Sequence, residues 1–203
     1  MTMNIAIFQV IVLIFSAIIH EYMHGWMADR LGDTTAKDLG RLTLNPIPHI
    51  DPIGSILLPF ILITTGAPFV FGWAKPVPFN PYNLRDKKYG GAKVAVAGPM
   101  ANLAVAIIIG LLIRFVPFAN TDMVYMMQII VFVNLLLMVF NLVPIPPLDG
   151  SKVIMPFLPI SIQEKLLIFE QYGMFLVFIF IAVGFRLILP IIYILFSLIT
   201  GIT

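Results

Sequence analysis

Cysteine is absent from the 203-residue chain, so disulfides and thiolate metal sites are excluded outright. Charge is scarce as well. Only 11% of the residues are Asp, Glu, Lys or Arg, against about a quarter in a soluble domain. That leaves too few polar side chains to cover a water-facing surface. The net charge of +2 and the lack of any basic cluster interleaved with aromatics exclude nucleic acid as a partner. The opening stretch MTMNIAIFQVIVLIFSAIIH has neither the basic n-region nor the small-residue cleavage site of a signal peptide and reads as a retained span. No internal repeat, low-complexity tract or long polar linker divides the chain, which points to a single membrane domain over residues 1–203.

What the chain has in abundance is apolar side chains, 60% of the total, with a mean hydropathy of +1.02. Several runs reach the roughly 20 residues that cross a bilayer as a helix. The pattern predicts an all-α polytopic membrane protein with about five to six transmembrane helices. The expected spans are residues 4–28, 94–118, 123–142, 166–183 and 187–203. Residues 50–71 are apolar but interrupted by Pro52, Gly54, Pro59, Gly66 and Pro68. Proline breaks helices, and Ile63 to Phe69 resembles a turn between β-branched arms. This segment is expected to be a re-entrant, β-hairpin-like loop; the competing reading is a distorted spanning helix.

The lysines and arginines favour the loop. Cations of short loops collect on the cytoplasmic side. With the N-terminus outside and residues 50–71 not crossing, Arg30, Lys37, Arg41, Lys75, Arg85, Lys87, Lys88, Lys93, Lys152 and Lys165 fall inside. Only Arg114 and Arg186 fall outside. A crossing at residues 50–71 would destroy that bias. The expected location is therefore the cell membrane, multi-pass, with the chemistry toward the cytoplasm.

The chemistry is concentrated at His20-Glu21-Tyr22-Met23-His24. On a helix, histidines four residues apart share a face and can reach one ion, while Glu21 is rotated away to meet a metal-bound water. Such a carboxylate takes the water's proton and later passes it to the leaving amine. If the helix leaves the membrane near Asp29, His24 and His20 lie roughly 8 and 14 Å inward, at about 1.5 Å per residue. Ionisable groups at that depth are costly and usually functional. Catalytic zinc takes three protein ligands and keeps one open position. Two candidates for the third are His49, in a proline-rich stretch, and Asp149, which is the better placed. Pro144, Pro146 and Pro147 stiffen the approach to Asp149, Gly150 allows a sharp turn after it, and it falls on the same membrane side as the histidines.

HEYMH in one span and NLVPIPPLDG closing a later one resemble the site-2 protease family of intramembrane metalloproteases. GRLTLNPIPHIDPIGSILLP, FGWAKPVPFNPYNL and AGPMAN fit the same pattern, and together these stretches cover most of residues 16 to 152. The resemblance implies a three-helix catalytic core made of residues 4–28, 94–118 and 123–142. It implies Zn2+ on His20, His24 and Asp149, and Glu21 as the base. Asn141 is then a catalytic and substrate-binding candidate near the scissile carbonyl, and Asn102 a substrate-binding candidate facing the site. For both asparagines, hydrogen bonding between helices is the plainer reading. The implied substrates are transmembrane segments of other proteins, unwound locally, and the arms of residues 50–71 could capture them by strand addition. A metal transporter would need ionisable groups along several spans, which the later spans lack. A non-catalytic escort is distinguished by whether Glu21 is needed.

Overall fold

A computed structural model describes residues 3–66 and 72–202. Within them every regular element is helical, with no strand. The elements are α1 (Met3–Arg30), the single turn α2 (Thr35–Asp38), α3 (Leu58–Thr64, entered through a π-helical turn at Pro52–Leu57), α4 (Gly90–Phe115) and α5 (Thr121–Asn141). Then follow α6 (Asp149–Ile154), α7 (Ile160–Glu170), α8 (Gly173–Ile179) and α9 (Phe185–Thr200). Among the described residues, four stretches are long and apolar enough to cross a membrane: Asn4–Arg30, Gly90–Phe115, Thr121–Asn141 and Gly173–Thr200.

The first three correspond, within a few residues, to the expected core helices. The C-terminal reading needs correcting. Residues 166–183 and 187–203 are not two spans; α8 and α9 form one helix joined by a π-helical turn, Phe180–Gly184. A glycine within a helix costs only about 1 kcal/mol, and no proline or capping group stands beside Gly184 to end one. The π-turn absorbs the irregularity, and the ring of Phe180 occupies the space where a side chain at Gly184 would lie. Residues 166–170 belong to α7, which ends before Gly173.

The first arm of residues 50–71 is also not strand-like. Pro52–Thr64 is helical, and at about 1.5 Å per residue it covers roughly 20 Å, short of the ~30 Å hydrocarbon core. Asp51 starts it by accepting from the N–H groups of Ile53 and Gly54 at 3.0 and 2.7 Å, the usual N-capping geometry. Without a neighbouring strand, an apolar arm satisfies its own backbone only by coiling. The expected return arm from Ala67 to Phe71 lies outside the described residues.

The apolar core lies between α4, α5 and α9, where Ala106, Val131, Leu135, Ile188 and Ile192 are buried together. A second, small cluster of Ala28, Leu84 and Val94 closes the end of α1 that carries the histidines. Beyond α1, Asp33 ties that end together. Its buried carboxylate accepts from Thr35 Oγ1, Asn80 N–H and Asn83 Nδ2 at 2.5, 2.6 and 2.9 Å. Burial alone would raise its pKa, but these hydrogen bonds outweigh burial and hold the carboxyl below its ordinary value. The segment from Gly72 to Phe79 is thereby anchored across the inner face of α1 as an extended strap.

Where α4 meets α9, a Cβ on Gly110 would lie 2.3 Å from Ile199 Cγ2. Gly110→Val therefore pushes the last helix off the core. A loss of about 1–3 kcal/mol of stability is expected, read as a lower melting temperature of the purified protein in detergent.

Candidate metal centre

The HExxH turn falls in the C-terminal half of α1, where helical spacing stacks His20 and His24 with ring centroids 4.6 Å apart. Asp149, first residue of α6, comes to the same point from the far end of the chain. Its Oδ2 lies 3.1 Å from His20 Nε2 and 3.2 Å from His24 Nε2. The three side chains are 7%, 12% and 14% exposed. Only glycine fits at position 150, since a Cβ there would lie 2.2 Å from the Leu142 carbonyl oxygen. That close approach brings α6 back over the end of α5.

Hydrogen bonding sets the tautomers. Asn102 Nδ2 donates to the Ser16 carbonyl oxygen at 3.1 Å and to Asn134 Oδ1 at 2.9 Å, so its Oδ1 is the acceptor for His20 Nδ1–H at 2.7 Å. The Val94 carbonyl oxygen can only accept, so His24 Nδ1–H donates to it at 2.7 Å. In the neutral form that binds a metal, both histidines therefore turn an Nε2 lone pair toward the Asp149 carboxylate. Three acceptors face one another with no donor among them, an arrangement that calls for a cation. Two ligands each about 2.0–2.1 Å from a tetrahedral zinc lie about 3.3 Å apart, close to the separations seen. The carboxylate and two neutral imidazoles, each braced through its other nitrogen, suit that ion. Gly98 of α4 completes the cradle: a Cβ there would lie 2.5 Å from His24 Nε2 and 2.7 Å from His20 Nε2.

Glu21 belongs to the same compact group as the two histidines, but its Oε2 is held by the N–H of Val77 in the strap at 2.8 Å. All four side chains line a mainly apolar cavity of about 720 Å³, bounded by α1, the strap, the end of α5 and α8. Asn141 lines it too, with its Nδ2 donating back to the Leu137 carbonyl oxygen at 2.9 Å. Asn102 does not line it; it is fully buried and committed to His20, Ser16 and Asn134. His49 is buried in the cavity wall, with Nε2 bonded to the Thr43 carbonyl oxygen at 2.8 Å, and it is not among the groups that converge.

Sequence reasoning missed Gly98, Asn134, Ser16 and the two backbone groups at Val94 and Val77. The small residues of AGPMAN are the kind of signal that marks a close helix contact, but they do not say what it would touch. Asn134 Nδ2 donates to Ser16 Oγ at 3.0 Å and to the Ile130 carbonyl oxygen at 2.9 Å. It closes a polar thread through α1, α4 and α5.

A helical membrane bundle with an HExxH pair and a distant aspartate converging on one point has the donor set of a metallopeptidase. Comparison with known proteins places it further. The model of peptidase family M50 matches residues 116–185. YwhC of Bacillus subtilis, provisionally named a zinc metalloprotease, is 39% identical over 181 residues, covering 85% of this chain and 78% of its own length. Rip2 of Mycolicibacterium smegmatis, named in the same way, is 32% identical over 165 residues, 81% of this chain and 62% of its own. MJ0611 of Methanocaldococcus jannaschii, also so named, is 35% identical over 124 residues, 59% of this chain and 62% of its own. The chain thus spans less than two thirds of the latter two relatives. No solved structure matches it. The chain belongs to peptidase family M50, the zinc metalloproteases related to the site-2 protease, and is a multi-pass membrane protein.

Removing the brace or filling the cradle should cost zinc before it costs the fold. Asn102→Ala is expected to weaken zinc binding roughly tenfold to a hundredfold, and Gly98→Ala to lower it further, by intruding on both ligand nitrogens. Metal content of the purified variants against a graded zinc buffer measures this.

Proposed function

We propose that the protein is an intramembrane-cleaving zinc metalloendopeptidase that hydrolyses peptide bonds within or near the transmembrane segments of other membrane proteins. The observation that carries this reading is the convergence of His20, His24 and Asp149 beside Glu21, on the wall of a cavity enclosed by bilayer-length helices. His20, His24 and Asp149 hold the zinc. When bound, the ion supplies a Lewis acid that polarises the scissile carbonyl and lowers the pKa of water.

Glu21 takes the proton of the attacking water and returns it to the leaving amine. Asn141 spends one amide hydrogen on the Leu137 carbonyl. Its other hydrogen is free to meet the carbonyl oxygen of the substrate as charge develops there. Asn102 acts through His20: it fixes the ring and the tautomer and does not touch the substrate. The apolar lining suits a segment arriving from lipid. A peptide bond in a substrate helix becomes attackable once the helix unwinds, because its carbonyl is otherwise spent within the helix.

Orientation follows from charge. The joining stretches between α1 and α4, and between α5 and α8, with the helix ends beside them, carry Arg30, Lys37, Arg41, Lys75, Arg85, Lys87, Lys88, Lys93, Lys152 and Lys165. With four spans both stretches lie on one side, which the positive-inside rule makes cytoplasmic. The N-terminus is then outside and the metal site opens toward the cytoplasm. Arg186 falls within the fourth span.

Cleavage of a single-span test substrate by the purified protein in detergent tests the reading. Wild type is expected to cut within the span, Glu21→Gln to lose at least a hundredfold in rate, and chelated enzyme to recover with zinc. Undiminished cutting by Glu21→Gln, or cleavage confined to soluble loops, would sink it.

A further inference from the structure

One peptide unit in the strap joins a cation to the Glu21 carboxylate. Arg41 Nη2 donates to the Pro76 carbonyl oxygen at 3.2 Å and to the Lys75 carbonyl oxygen at 3.0 Å. The N–H of the Pro76–Val77 peptide bond donates to Glu21 Oε2 at 2.8 Å. The carbonyl and the N–H belong to the same plane, so the guanidinium sits at the negative end of the peptide dipole and the carboxylate at the positive end. Hydrogen bonds chained in this sense polarise one another.

The local sequence makes the arrangement specific. Pro76 and Pro78 carry no N–H, so within Pro76-Val77-Pro78 the Val77 N–H is the one donor, and it goes to Glu21. Pro78 also confines Val77 to extended backbone, which limits how the plane can turn. The strap is pinned on its other edge, where the Lys75 N–H donates to the His49 carbonyl oxygen at 2.8 Å and Ser55 Oγ to the Trp73 carbonyl oxygen at 2.8 Å. Among the described residues, Glu21 has no other hydrogen bond to set its angle. Its Oε1 is left free for the attacking water.

We propose that the Pro76–Val77 peptide unit, clamped between Arg41 and Glu21, holds the Glu21 carboxylate in register with the attacking water. Arg41 and the Val77 N–H are then positioning groups of the reaction, acting through Glu21 and not touching the substrate. This rests on Glu21 being the base.

Full-length protein in detergent carries the test, with four changes measured side by side. One is the amide-to-ester replacement at Val77, made with the α-hydroxy acid of valine, which deletes the N–H and keeps the side chain. The others are Arg41→Ala, Arg41→Lys and Glu21→Gln. Read-outs are kcat and KM on the single-span substrate, zinc content, and melting temperature. The ester and Arg41→Ala are expected to lower kcat roughly tenfold to a hundredfold, with KM and zinc content within about twofold of wild type. Arg41→Lys, which keeps one donor for the carbonyls, should recover part of the loss, as should guanidinium ion added to Arg41→Ala. Should Glu21→Gln be inactive while the ester turns over like wild type, the clamp is wrong and the protease reading stands. A kcat loss in Arg41→Ala that tracks lost zinc or a lowered melting temperature, with the ester unaffected, likewise overturns it as mere structural damage. Wild-type turnover by Glu21→Gln removes the base assignment, and the clamp falls with it.

Discussion

A histidine pair buried in a bilayer helix needs donors and acceptors supplied by protein, because lipid offers none. In this chain that need is met by one continuous polar thread. Ser16 and His20 on α1, Asn102 on α4 and Asn134 on α5 exchange hydrogen bonds across three helices. Small polar side chains hold helices together in apolar surroundings, so the thread that packs the bundle also sets the His20 tautomer. Asn102 serves both ends at once, bonding α1 and α5 while directing the metal-facing lone pair of His20. The rest of the site is arranged around that constraint, with Val94 doing for His24 what Asn102 does for His20, and Gly98 leaving room where the two nitrogens point.

Around this fixed centre lie elements held mainly by polar contacts at the surface. The strap from Gly72 to Phe79 has no helical bonds of its own, so Arg41, Ser55, His49 and Glu21 take up its backbone groups instead, and Asp33 holds Asn80 at its end. The cavity wall is thus rigid on the α1, α4 and α5 side and built from loop on the other. The strap, tied at named points, meets that fixed centre at Glu21, whose carboxylate accepts from the Val77 N–H.

The last helix shows how an irregularity is tolerated when packing compensates. α9 lies against α4 and α5 through Ile188 and Ile192, and Gly110 lets Ile199 approach closely. The π-helical turn before it keeps α8 in line with α9, so Met174, Val177, Ile181 and Phe185 all face the cavity. Read along the sequence, the stretch divides into residues 166–183 and 187–203. The lateral contacts of α9 make the stretch one.

Local chemistry in the sequence was sufficient for the membrane class, the three long core helices and the HExxH turn, because helical periodicity places His20, Glu21 and His24 relative to one another without help from the rest of the chain. Asp149 was legible for a related reason: the prolines before it and the glycine after it restrict the backbone locally. Only the tertiary structure decided that Pro52–Thr64 coils, that Gly173–Thr200 is continuous, that Asn102 braces His20 without reaching the cavity, and that Arg41 meets Glu21 through one peptide bond. Those features arise from contacts between segments tens of residues apart, and a hydrogen bond across such a gap leaves no period in the sequence. Residue type states what a group can donate or accept; packing decides which partner it finds.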